Sequence, residues 1–210
     1  MKRRQAISNV FKYLVLAIIL VFLLFPLYWV LMTSFKTNME AYSYPPTFAP
    51  QAPTLDSYVS LFTENNEFFI YYKNNFIVSG ISALLTVLIA LLGGYALSRF
   101  HFRWNKWIVA AFMSAQMFPM ISRLISLYSL MRGMGLINTL PGLILALTAS
   151  MLPFSIMLMS SFLDSVPIEV EESARIDGAS RLGVLFRLVI PLVKPGILAV
   201  GIYSFLLAWD

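Results

Sequence analysis

The sequence predicts an all-α, polytopic membrane helical bundle, and three observations carry that expectation. Hydrophobic residues make up 59% of the 210 residues and charged ones only 12%, where a soluble domain averages roughly half and a quarter. The mean hydropathy is +0.78. The apolar residues also fall into long runs, and a helix needs roughly 20 of them to cross a hydrocarbon core about 30 Å thick.

Five segments meet or approach that length: residues 13–32, 76–97, 107–131, 140–162 and 191–209. The first follows a basic stretch, residues 1–12, as a secretory leader would. Its apolar run is too long for a leader and no A-x-A site follows, so an uncleaved anchor, bent at Pro26, is expected. Gly93 and Gly94 let the second span approach a neighbour closely. Orientation follows from lysine and arginine. With the N-terminus inside, the cytoplasmic side holds Lys2, Arg3, Arg4, Lys12, Arg99, Arg103, Lys106, Arg175, Arg181, Arg187 and Lys194, against Lys36, Lys73, Arg123 and Arg132 outside.

Several function classes are excluded. The absence of cysteine rules out disulfides and cysteine metal sites. The net charge of +5 sits at the ends of apolar runs, where it sets orientation, so no nucleic-acid partner is expected. Neither H-E-x-x-H nor G-x-S-x-G occurs, which argues against an intramembrane hydrolase. No G-x-x-x-x-G-K-[ST] loop occurs, so the chain has no phosphate-binding loop of its own. His101, the single histidine, lies in a basic turn and is expected to have neither catalytic nor metal role.

Two loops are long enough to carry structure. In the outer loop, residues 37–75, Pro45, Pro46, Pro50 and Pro53 exclude regular helix, while residues 55–61 suit a short helix capped by Thr54 or Asp56. Its aromatics, among them Tyr42, Tyr44, Phe48 and Phe62, suit an interfacial belt or a surface for a protein partner. The inner loop, residues 163–190, holds Asp164, Glu169, Glu171, Glu172 and Asp177, five of the ten acidic residues.

The inner loop reads as helix, Asp-Gly turn, helix. Asp164 or Ser165 can cap the first helix, and Pro167 suits its first turn. Val166, Val170 and Ala174 form one apolar stripe, and Gly178 supplies a left-handed stop. Ser180 can cap the second helix, with Leu182, Phe186 and Val189 on one face, before Pro191 ends or kinks it. A short acidic helix with a small-residue stripe can dock in a groove of a soluble partner. The alternative, lying on lipid headgroups, usually takes a basic face and bulky anchors, and none stands before Phe186.

Within the spans, Arg123 either lines a solute pathway or snorkels to the outer interface, about 24 Å along a straight helix from Trp107. Gln116, Ser114 and Tyr128 offer hydrogen bonds to a solute or between helices.

Glu172-Ser173-Ala174, Asp177-Gly178-Ala179, Ile190-Pro191 and Pro195 together resemble the E-A-A…D-G-A…I-x-L-P loop of ABC importer permeases. PPTFAP…TLDSYVSLF, YALSRFHF and MFPM…YSLMRGMGLINT are similar to the maltose-G-like branch of carbohydrate-uptake permeases, so the likeness covers about residues 5–210. The resemblance implies a transmembrane domain over residues 13–210, with five spans present of an expected six. It also implies a cytoplasmic coupling helix set in a cleft of a separate ATPase. Val170 and Ala174 would pack in that cleft, Ser173 would fill a close-approach position the family gives to alanine, and Glu172 would pair with a basic residue. Asp177 and Gly178 would orient the helix, with Glu171 and Arg175 at the rim. Arg123, Gln116 and Tyr128 are the pathway candidates. The implied partners are a second permease subunit, an ATP-binding subunit dimer carrying ATP and Mg, an extracytoplasmic solute-binding protein, and the lipid of a bacterial inner membrane. This chain itself would hold no cofactor and would not be an enzyme. A permease for a non-sugar solute, or a truncated scaffold that does not transport, is the alternative.

Overall fold

The structure, a computed structural model, describes residues 2–63, 66–100 and 103–210. His101, with the expectation attached to it, lies outside the described residues. The helices are α1 (Lys2–Ser34), α2 (Asn38–Ala41), α3 (Asp56–Thr63), α4 (Asn66–Arg99), α5 (Asn105–Met117), α6 (Met120–Gly133) and α7 (Leu140–Asp164). They continue as α8 (Ile168–Ile176), α9 (Arg181–Val184), a π-helical turn (Leu185–Val189), α10 (Ile190–Leu192) and α11 (Lys194–Trp209). No strand occurs among the described residues.

Asn9–Ser34, Glu67–Arg99 and Leu140–Asp164 are each long and apolar enough to cross a membrane. Two bent pairs, α5 with α6 and Arg181–Leu192 with α11, raise the number of spans to five if each pair counts as one. The expected straight third span is therefore corrected: α5 and α6 meet at 105°. Pro119 explains the break, because the residue before a proline is pushed out of the α region. Phe118 is extended accordingly, with ψ 134.

The expected kink at Pro191 is also displaced. Pro191 sits in the first turn of α10 and the chain turns at Val193, by 75° between the flanking segments. Pro195 has no N–H to give the Pro191 carbonyl, so the ladder fails one turn later than expected. Upstream, the Ile190 N–H reaches Leu185 O, which defines the π-helical turn.

The chain divides into two compact units, residues 1–70 and 71–210. In the first, the apolar run of α1 holds no buried residue, as suits a helix solvated by lipid. The segment after it folds around Lys36, whose Nζ donates to Thr47 O at 2.5 Å and lies 4.9 Å from the Trp29 ring centroid. The Glu40 carboxylate accepts from Gln51 N at 2.9 Å and from Thr47 Oγ1 at 2.7 Å. These bonds, the Gln51 N–H foremost, hold its carboxyl below the usual carboxylate range. Tyr58 OH donates to Ser34 Oγ at 2.8 Å. Asp56 N donates to Thr54 Oγ1 at 3.1 Å, so Thr54 is the cap of α3.

In the second unit, α4, α7 and α11 enclose a core centred on Ala90, Met159, Leu163, Val189, Val193 and Val200. Small polar side chains (Ser79, Ser82, Thr86, Ser155, Ser204) are fully buried between the helices, where they let backbones approach closely. Gly94 meets the expectation for a close crossing: a Cβ there would lie 3.0 Å from Ser160 N and 3.1 Å from Met159 Cβ. Gly94→Val is expected to force α4 from α7 and cost about 1–3 kcal/mol in unfolding of the purified protein in detergent. Gly80→Ala, at a site where an added Cβ meets nothing within 4 Å, is the control and should stay near the ~0.5 kcal/mol of an ordinary surface change.

Candidate functional site

The site forms where α7 hands the chain to α8. Neither expected cap is used there. Ser165 Oγ donates back to Phe162 O at 2.6 Å, and the Asp164 carboxylate is taken by Ser98, so α8 starts from Pro167 without a side-chain cap. Glu169 and Glu171 in the first turn offset the positive end of the helix instead. The far end behaves as the sequence predicts. Gly178 takes φ +89, its N–H donates to Arg175 O at 3.1 Å, and Ala179 N donates to Ala174 O at 3.0 Å. That pairing is a Schellman stop, which needs the left-handed residue glycine supplies.

Arg99, the last residue of α4, reaches under α8 and ties three helices together. Its Nε donates to Glu171 Oε1 at 2.5 Å, with the two side chains only 9% and 7% exposed. Its Nη2 donates to Leu163 O and Val166 O, each at 3.0 Å, reinforcing the turn in which Val166 N already donates to Leu163 O as the chain leaves α7. Its Nη1 donates to Ser98 Oγ at 2.8 Å, and Ser98 in turn donates to Asp164 Oδ1. Tyr95, one turn earlier on α4, donates its hydroxyl to Glu171 Oε2 at 2.8 Å. Both carboxylate oxygens of Glu171 and all three nitrogens of the guanidinium are therefore engaged. A buried ion pair repays its desolvation only when its remaining donors and lone pairs are filled in this way.

This corrects the reading of Glu171 as a rim residue: it faces inward and fixes α8 to α4. The other candidates on the loop divide cleanly. Val170, Glu172, Ser173, Arg175, Asp177 and Gly178 are exposed, and Ala174 is half-buried against the core. Ser173 Oγ donates to Glu169 O at 2.8 Å, which leaves a small, self-satisfied surface. Ile176, not singled out from the sequence, is 86% exposed beside Glu172 on the free face. Val166, which the sequence placed on a stripe for a partner, packs inside the protein instead. Ser180 caps the next helix through Gly183 N at 3.1 Å. The predicted face of that helix is corrected: Leu182 and Phe186 are exposed, while Val184, Leu185 and Val189 are buried. The π-helical turn adds a residue to the repeat and rotates the buried face.

Tyr95 and Ser98 escaped the sequence reading, and Arg99 and Asp164 were read there only as an orientation charge and a helix cap. The signal available was the i, i+4 spacing of Tyr95 and Arg99, which puts both on one helix face.

The pathway candidates are not brought together. Arg123, in the first turn of α6, lines a cleft of about 570 Å³ with Ala115, Phe118, Ser122, Ser126 and Pro153. Tyr128 lines a neighbouring cleft between α6 and α7, and Gln116 lines neither. The bend at Pro119 also removes the straight-helix depth assigned to Arg123.

Comparison with known proteins follows the same lines. Residues 86–210 match the family described as "Binding-protein-dependent transport system inner membrane component". The chain is 37% identical over 199 residues to the sulfoquinovosyl glycerol transport system permease protein of Agrobacterium fabrum, covering 95% of this chain and 70% of that protein. It is 31% identical over 208 residues to a diacetylchitobiose uptake system permease protein of Streptomyces coelicolor, covering 99% and 75%. A chain of a bacterial ABC transporter involved in the import of the acidic polysaccharide alginate shares the fold, with TM-score 0.81 at 22% identity, over 99% of this chain and 72% of that one.

Removing one side of the buried pair leaves the other charge stranded. Arg99→Ala is expected to destabilise the protein by about 3–5 kcal/mol, while the paired Arg99→Met/Glu171→Leu change recovers most of that loss. Unfolding of the detergent-solubilised variants checks both; an unaltered midpoint for Arg99→Ala contradicts the assignment.

Proposed function

The chain belongs to the binding-protein-dependent transport system inner membrane components, multi-pass membrane subunits of ABC importers rather than enzymes, and on that premise we propose that it is the permease of a carbohydrate importer whose α8 is the contact for a separate ATPase. The exposed acidic face of α8, held rigid from behind by Arg99, is the observation that carries the reading. Glu172 and Glu169 present carboxylates outward, with Ile176, Val170 and Ser173 as the packing surface. Glu172 pairs with a basic residue of the ATPase. Ala174 sets how closely the helix approaches, and Asp177 with Gly178 sets its angle. ATP and Mg are held by that partner, a reading supported by the lack of a phosphate-binding loop in this sequence.

Lysine and arginine bias supports an N-terminus and a 163–190 loop on the cytoplasmic side, with residues 37–75 outside. The outer loop, ordered about Lys36 and Glu40, is the surface for an extracytoplasmic solute-binding protein, and a second permease subunit completes the pathway. The solute class rests on the relatives: their names carry sulfoquinovosyl glycerol and diacetylchitobiose, both sugar compounds.

Mechanically, closure of the ATPase dimer moves α8. The Arg99–Glu171 pair transfers that displacement to α4 at its point of contact, and the Ser98–Asp164 bond carries it to the end of α7. Packed helices switch between discrete arrangements rather than deform, so a movement at α8 is passed on as a rigid displacement.

Glu172→Lys tests the assignment. Co-purification of the ATPase and ATP-dependent uptake of diacetylchitobiose or a related oligosaccharide should both fall by about tenfold or more, with the amount of protein in the membrane unchanged. Wild-type uptake by the variant would count against α8 as the docking helix.

A further inference from the structure

Arg123 has no counter-ion among its neighbours, and the sequence explains why. No aspartate or glutamate stands anywhere from Phe68 to Leu163, nor from Gly178 to Trp209. The three elements that could face it, α5, α7 and α11, are thereby stripped of acid apart from Asp164, which Ser98 already engages at the end of α7. Arg123 makes no ion pair among the described residues, and its Nε is buried without a hydrogen-bond partner. An ionisable group on a membrane-spanning element is rare and marks a functional candidate by default. Its position also works against helix stability, because a cation in the first turn of α6 adds to the positive end of the dipole. Both features favour an anion in the cleft.

The walls of that cleft suit a sugar. Phe118, Leu127 and Leu130 offer an apolar surface for the C–H face of a ring. Across from them, Pro153 lies within α7 and has no N–H to give Ala149 O, so that carbonyl is left as an acceptor for a hydroxyl. The hydroxyls of Ser126 and Ser150, both lining the cleft, donate into their own helices and keep oxygen lone pairs free to accept. At about 570 Å³ the space falls in the range of small-molecule sites, about 300–1,000 Å³. The cleft therefore supplies acceptors for hydroxyls, an apolar wall for a ring, and one unmatched cation.

We propose that Arg123 binds the acidic group of an anionic carbohydrate, a carboxylate or sulfonate, and so selects acidic sugars over neutral ones. This rests on reading the chain as a carbohydrate permease. A charge-assisted hydrogen bond to the guanidinium would distinguish the two classes by about tenfold or more.

The test uses the full complex, both permease subunits with the ATPase, purified in detergent. Equilibrium binding is measured for trigalacturonate and for maltotriose, a neutral sugar of the same length. The wild type should bind trigalacturonate about tenfold tighter, Arg123→Gln should lose that preference while keeping its affinity for maltotriose, and Arg123→Lys should keep part of it. Equal affinities in the wild type, no binding of trigalacturonate, or an unchanged preference in Arg123→Gln overturns the proposal. So does loss of the second permease subunit on Arg123→Gln, which would make a carboxylate of that subunit the true partner. Co-purification of the ATPase is followed in the same samples. Its absence from the wild type would indict the permease reading itself, whereas its retention alongside lost selectivity isolates Arg123.

Discussion

The arrangement of this protein depends on one buried ion pair. Arg99 and Glu171 stand 72 residues apart and meet with almost no solvent between them. Taking each ion out of water costs several kcal/mol, and the structure offsets it with further hydrogen bonds: Tyr95 on the carboxylate, and two main-chain carbonyls and Ser98 on the guanidinium. The same bonds that make the pair tolerable also fix geometry. Arg99 terminates α4, caps α7 and anchors α8, so three helix ends are set by one planar side chain whose fork of donors lysine could not reproduce.

This division of labour explains the composition of α8. One of its glutamates is structural and faces inward; the next faces out and is free for a partner. A nine-residue helix is too short to be stable alone, and α8 buries little apolar surface beyond the edge of its Val166–Ala174 stripe. Its rigidity comes from the ion pair behind it and from the Gly178 stop after it. A helix held in this way can accept force from a partner without unwinding.

What could be read from the sequence was local, and what could not was either long-range or a matter of accumulated phase. The span positions, the Thr54 and Ser180 caps, the Gly178 stop and the close approach at Gly94 each depend on residues within a few positions or on a single missing Cβ. The Arg99–Glu171 pairing needs two residues brought together by the tertiary fold, and charge counting alone placed Arg99 as an orientation signal. The bend after α5 was signalled by Pro119, but the largely apolar stretch on both sides masked it, since hydropathy does not register backbone direction. Leu182 and Phe186 were placed on the wrong face because a 3.6-residue period was carried through a π-helical turn. The small-residue character of the loop survived at Ser173, whose hydroxyl is satisfied within its own helix.

The central claim is that α8 and the C-terminal end of α4 move as one body. The chain has no cysteine, so spin labels can be placed at Leu92→Cys on α4 and Glu169→Cys on α8, both exposed positions outside the ion pair. Pulsed electron paramagnetic resonance on the assembled importer then gives their separation with and without ATP. The account predicts a distance constant to within about 2 Å through the cycle, as expected for rigid-body transmission. A shift of about 5 Å, one helical turn, would show that α8 moves independently of α4 and contradict it.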